Sequence, residues 1–339
     1  MNEPGTNQKT GSLLIKRIMG IKTTIIDFMK LAMKKKTFFA GFTIVSIMIF
    51  FSILDMVYPE YLGVSNTFTL FSFTNSSNYF KFPTPPTLSN GIYGILGTSM
   101  YQIPILPVLL ASLPIDIGYA FLTIAISSSI GISIGLLAVY PSESPDHILM
   151  RITDTFMAIP ILIGAMIFAF EIGFSFLYLS LGISFILWSY YAKLMRNSIL
   201  QVKSMNYVEA SIASGASKFR IAISHLIPNA MTPILVRMSI DFSTVIIIIA
   251  TVNFLFPGAM SKVGYYPELG NAINGFQSFG VIILAGYPYF TPPPASTLLL
   301  SGYWWAVFIP GLFLLLLIMG FSLLSDGLME ILDPKMRSY

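Results

Sequence analysis

Long apolar runs set the rhythm of this chain. Six of them, at about Thr37–Val57, Ile117–Tyr140, Asp154–Gly173, Phe174–Ala192, Ile234–Phe256 and Trp304–Leu324, approach the ~20 residues that a helix needs to cross ~30 Å of hydrocarbon. The third and fourth nearly abut, which predicts a tight hairpin around Glu171–Ser175. Between the fourth and fifth the pattern changes. Residues Asn206 to Asn229, NYVEASIASGASKFRIAISHLIPN, mix polar and apolar positions and predict two short helices. Asn206 and Glu209 have the spacing of a capping box at the first. Gly215 supplies a residue that turns left-handed without a Cβ clash. The second run, from about Ser217 to His225, is expected to stop at Pro228. Ala210, Ala213 and Ala216 are small, so another backbone can approach this surface. Ahead of the first run, Leu14, Ile18, Ile21, Ile25 and Phe28 recur at helical spacing among Lys16, Arg17, Lys22 and Lys30, which predicts an amphipathic helix on the inner membrane surface. A signal peptide fits less well, because the apolar stretch that follows is long enough to span and no A-x-A site follows it.

Composition agrees with the runs. The 339 residues are 55% hydrophobic and 10% charged, where a soluble domain carries about a quarter charged residues. The expected fold class is therefore an all-α membrane protein. There is no cysteine, which excludes disulfides and thiol chemistry, and two histidines are too few for a usual His-based metal site. The net charge of +4 is distributed for a membrane and not for nucleic acid. Eight Lys and Arg lie in residues 1–36, and with that end inside the only basic residues outside are Lys81 and Lys262. This split predicts six transmembrane helices with cytoplasmic N- and C-termini. No phosphate loop of the G-x-x-x-x-G-K-[ST] kind and no nucleophile–base pairing occurs, so the chain is not read as an enzyme. Uphill transport would draw on a partner or an ion gradient.

The outer segments carry weaker signals. Residues 58–116 contain an N-x-S sequon at Asn75, for which a chance match is at least as good a reading. Ile103 to Pro114, broken by Pro107, reads as an interfacial or re-entrant piece. Residues 258–303 carry Tyr265, Tyr266, Phe276, Phe279, Tyr287, Tyr289 and Phe290, which fit a membrane-interface belt, a docking surface or sugar contacts. Ionisable residues in spans are functional hypotheses by default. Asp241 has Arg237 four residues earlier on the same helical face, so it is either half of a structural pair or a group on a transport path. Asp154 follows Arg151 at an expected helix start, while Asp55, Asp116 and Glu171 are expected near outer span ends, in reach of water.

The island also carries a longer pattern: Glu209-Ala210-Ser211, then Gly215, then His225-Leu226-Ile227-Pro228 and Asn229. It resembles the cytoplasmic loop of type I ABC importer permeases, in the dipeptide/oligopeptide subgroup, as the "C-type" second membrane subunit. Ser211 stands where the family has a second Ala, and Ile227 where it usually has Leu. Met150-Arg151…Asp154…Ala158…Pro160, Trp304-Trp305, Phe308 with Pro310-Gly311, Asp326-Gly327-Leu328 and Leu332-Asp333-Pro334 extend the likeness over about two-thirds of the chain. Leu96-Gly97-Thr98 keeps only part of an LGTD…GRD motif, and Pro267…Gly270-Asn271 has Leu269 in place of Trp.

The resemblance implies a type I importer permease fold in the plasma membrane. Its expected parts are a cytoplasmic segment 1–36, a first span 37–57, an extracytoplasmic loop 58–116 and a core 117–325 of five spans. The core would contain a coupling-helix loop 203–230 and an extracytoplasmic insertion 258–303, and a tail 326–339 would follow. The implied partners are a second homologous permease subunit, two cytoplasmic ATPase subunits, an extracytoplasmic substrate-binding protein and membrane lipids, with no nucleic acid. ATP and Mg would belong to the ATPases, leaving this chain without a cofactor. Glu209, Ala210, Ser211, Gly215, Ala216, Ser217, Phe219 and Pro228 would couple to the ATPase, and Asp241 and Asn253 would lie on the translocation path. Relatives of this kind take di- and oligopeptides, nickel or, in archaea, oligosaccharides such as cello-oligosaccharides. The competing reading is a self-sufficient secondary transporter or channel using Asp241, for which the sequence offers no internal repeat. A membrane enzyme would lack a catalytic constellation.

Overall fold

The computed structural model describes residues 32–57, 84–88, 94–98, 105–139, 146–172, 176–255, 302 and 304–332, and among them there is no β-strand. The first apolar run forms α1, Lys36–Val57, much as its hydropathy predicts. The second forms α2, Ile105–Val139, which starts well before the expected Ile117. The piece read as re-entrant is instead the beginning of one continuous helix. Pro107 sits in its first turn, where the missing N–H would have had no intrahelical acceptor. Pro114 is interior, but Leu109 and Leu113 in the turns before it are fully buried, so packing outweighs the local break. Asp116 is buried too and does not sit at a water-exposed span end.

The third run is divided, against expectation. It forms α3, Asp146–Met157, and α4, Ile161–Ile172, which meet at 84°. Pro160 explains the break, since it lacks an N–H and disfavours helical geometry at Ile159. Asp154 accordingly lies near the end of α3 and not at a helix start. Glu171 is exposed at the end of α4, and residues 173–175 of the expected hairpin lie outside the described set. Helix α5, Phe176–Lys203, runs past the expected Ala192. Then come α6, Asn206–Ala213, α7, Lys218–Ile221, a π-helical turn at Ala222–Leu226, and α8, Ile227–Leu255. Helix α9, Trp304–Leu332, takes in Asp326-Gly327-Leu328, so the segment expected as a tail begins as helix. Among the described residues, Asp116–Val139, Lys218–Val252 and Phe308–Ile331 are long and apolar enough to cross a membrane, with a fourth span if the bent pair counts as one.

The core is centred on α2 and α5. Gly131 and Gly135 let their backbones meet: a Cβ on Gly131 would lie 2.5 Å from the Trp188 carbonyl oxygen, and one on Gly135 would lie 2.5 Å from that of Ala192. We expect Gly131→Leu to prevent recovery of folded chain from membranes, measured as monodisperse protein in mild detergent; an unchanged yield would refute this contact. Ser127 and Ser184, buried in the pair, are satisfied by backbone, whereas the Ser180 and Tyr191 hydroxyls are buried without a hydrogen bond among the described residues. Ser127 donates to the Thr123 carbonyl at 2.7 Å, and Ser184 donates to the same oxygen across the helix pair at 3.1 Å. Helix α8 is tied to α9 by Ser243 donating to the Ile318 carbonyl and Ser325 to that of Val236. Helix α9 also packs on α1, where Lys35 pairs with Glu330 at 2.6 Å. The N-terminal amphipathic helix, Asn75, the aromatic insertion 258–303 with Pro267 and Gly270-Asn271, and residues 333–339 lie outside the described residues.

Candidate functional site

The polar island folds as a knuckle between α5 and α8. Met205, extended at φ −87° and ψ 138°, caps α6 without a side-chain hydrogen bond. Asn206 is therefore the first helical residue, and the expected capping box with Glu209 does not form. Glu209 remains in the first turn, where its charge suits the helix dipole, and its side chain is exposed. After α6 the chain turns at Gly215, whose φ of +78° matches the left-handed geometry expected there. A Cβ at Gly215 would meet nothing within 4 Å, so backbone conformation alone makes the demand.

Ser217 then caps α7, its Oγ accepting from the Arg220 N–H at 3.3 Å. Removing that acceptor in Ser217→Ala costs about 1 kcal/mol of local stability. Amide exchange across 218–226 should speed up several-fold while α5 and α8 stay protected; unchanged exchange would show that the cap is inert.

Pro228 does not stop the helix. The Ile227 N–H bonds to the Ala222 carbonyl, five residues back, and this wider turn gives the proline ring room in the first turn of α8. Asn229 donates to the His225 carbonyl at 2.6 Å. His225 Nε2 lies 3.3 Å from Ser211 Oγ, and its ring is 6.0 Å from that of Tyr207, so the π-helical turn is clamped to α6. No local pattern points to this clamp, because fourteen residues and a turn separate Ser211 from His225.

The knuckle has a buried and an exposed apolar side. Val208, Ile221, Ala222 and Leu226 anchor it to the core, and Ala216 packs against the same cluster. Facing out are Tyr207, Ile212, Ile223 and Phe219, the last 76% exposed, with Ala210 and Glu209 beside them. Phe219 and the small residues were expected on this surface, whereas Tyr207, Ile212 and Ile223 were not, since apolar residues in an amphipathic helix are assigned to the inside. Together they form an exposed apolar patch on the knuckle. Helix runs without a loop from Lys218 to Leu255, so Phe219 is continuous in helix with α8.

Farther along α8, Asp241 is fully buried, and Arg237 Nε lies 3.0 and 3.1 Å from its two carboxylate oxygens. The Arg237 guanidinium also lies 5.4 Å from the centre of the Tyr190 ring. The ion pair that the four-residue spacing allowed is thus formed. Asn253 lies on the same helix, but its side chain falls outside the described residues. No cluster of three His, Cys, Asp or Glu suited to a metal occurs among the described residues.

Residues 127–338 match the family model described as "Binding-protein-dependent transport system inner membrane component". The chain is 28% identical over 243 residues to the dipeptide transport system permease protein DppC of Haemophilus influenzae, covering 72% of this chain and 75% of that one. It is 31% identical over 208 residues to DppC of Bacillus subtilis, covering 61% and 58%. Against the probable D,D-dipeptide transport system permease protein DdpC of Escherichia coli it is 29% identical over 212 residues, covering 62% and 63%. The alignments thus span from somewhat over half to three quarters of these relatives' length.

Proposed function

This chain belongs to the family of binding-protein-dependent transport system inner membrane components, and from that premise we propose that it is the permease subunit of an ATP-driven importer in which the knuckle couples the ATPase to the translocation path. The observation that carries the reading is the exposed apolar face at Phe219, set on a turn continuous with α8. In this reading six spans place both termini in the cytoplasm, and a second, homologous permease subunit completes the pore. Two ATPases bind ATP and Mg, and each receives one knuckle in a groove. Closure of the ATPases on ATP draws the knuckles together and tilts α5 and α8. Ala210, Ser211 and Ala216 allow close approach, Gly215 and Ser217 fix the turn, Pro228 sits at the root of the lever, and Glu209 offers a carboxylate to an ATPase cation. Asp241 and Asn253 lie beside the translocation path.

Short peptides are the substrate class this reading favours, because the relatives are named for dipeptides. An extracytoplasmic binding protein would deliver them. The test is to tag the chain, purify it gently from its own membranes and identify its companions by mass spectrometry, then measure uptake into vesicles with the co-purified binding protein. Two ATPases, a second permease and ATP-dependent dipeptide uptake are expected. Uptake of cello-oligosaccharides in place of dipeptides would overturn the substrate class alone. A solitary chain that transports without ATP would overturn the whole reading.

A further inference from the structure

We propose that the cleft between α3 and α5 binds the phosphate of an anionic phospholipid from the inner leaflet. The cleft measures about 280 Å³ and is lined by Asp146, His147, Arg151, Asp154, Lys193 and Arg196. Its two acids are already matched. Arg196 holds Asp146 through two hydrogen bonds, at 2.6 and 2.5 Å, and Lys193 holds Asp154 at 2.7 Å. Arg151 therefore adds a positive charge that no carboxylate answers among the described residues, with His147 one turn away on the same face of α3. A guanidinium forms paired hydrogen bonds to phosphate oxygens, and the Lys193 ammonium keeps donors that Asp154 does not use.

The surroundings select a lipid over a soluble anion. Because α3 turns 84° away from α4, it lies along the membrane surface when α4 points into the bilayer. Next to Arg151 it exposes Ile148 and Ile152, 67% and 45% accessible. A free phosphate would leave those two side chains in water. A phospholipid places its phosphate on Arg151 and its acyl chains over the isoleucines, satisfying both faces of the helix with one ligand.

The experiment uses the assembled transporter in nanodiscs of phosphatidylglycerol or phosphatidylcholine, with lipid retained after detergent washing counted by native mass spectrometry. The transporter should keep phosphatidylglycerol preferentially, and Arg151→Gln should weaken that retention about fivefold. Asp154→Asn, which removes a competing negative charge and frees Lys193, should strengthen it, a gain that misfolding cannot imitate. Equal retention of both lipids, or no change in either variant, overturns the proposal. So does inorganic phosphate, added to phosphatidylcholine discs, if it raises the thermal midpoint as much as phosphatidylglycerol does, for then the anion and not the lipid is the ligand.

Discussion

Phe219→Asp is expected to reduce ATP-driven uptake at least tenfold while the chain still inserts and folds. The two halves of that result have separate causes. Phe219 is 76% exposed, so its removal takes nothing from the core, and the melting temperature should hold. At a partner surface, truncating an aromatic anchor costs at least 2 kcal/mol, and an aspartate left unpaired in the same groove adds a desolvation cost. Two kcal/mol alone is about thirtyfold in docking. The measurement pairs uptake in vesicles with recovery of ATPase on the tagged chain, and both should fall together. Gly215→Pro should give the same phenotype for a backbone reason, since a ring that fixes φ near −65° cannot occupy a site at +78°. Glu209→Lys should do so through charge, by placing a cation in the first turn of α6. Normal transport in all three variants would remove the knuckle from the coupling path.

Most of the apolar helices and the turn of the knuckle were legible because each rests on local chemistry: the length of an apolar segment and the φ that only Gly215 takes freely. Three departures involve proline: Pro228 was expected to end a helix and Pro107 to break one, and a single span was expected across Pro160, whereas the helix continues through the first two and is divided at the third. A proline's effect depends on whether the turn before it can widen or whether its neighbours are buried. Ala222 and Ile227 supply the first at Pro228, Leu109 and Leu113 supply the second at Pro114, and nothing local at Pro160 does either. The capping box failed for a related reason: the chain leaves α5 through Ser204 and Met205, and that path makes Met205 the extended residue, carrying Asn206 inside the helix. The exposure of Tyr207, Ile212 and Ile223 was illegible because apolar periodicity in a short helix assigns such residues to the inside.

The second large effect belongs to Arg237 and Asp241, and it separates a structural pair from a transport group. Arg237→Met leaves a fully buried carboxylate with no cation, a loss that costs about 3–5 kcal/mol where buried pairs have been broken from one side. That is enough to remove most folded chain from detergent extracts. Asp241→Leu should be milder, because the orphaned Arg237 is about a third exposed and keeps its place over Tyr190. Replacing the pair together, as Arg237→Met with Asp241→Leu, removes both charges and should recover much of the loss. Tyr191→Phe completes the change, since the Tyr191 hydroxyl is buried beside the same carboxylate and would otherwise lose it. Folded yield and uptake then divide the possibilities. A triple variant that folds and still imports with ATP makes the pair a clamp holding α8 against α5. If the triple variant folds but no longer transports, Asp241 serves the path itself, and the ion-coupled mechanism becomes the one to test by driving the native chain with a proton gradient in the absence of ATP.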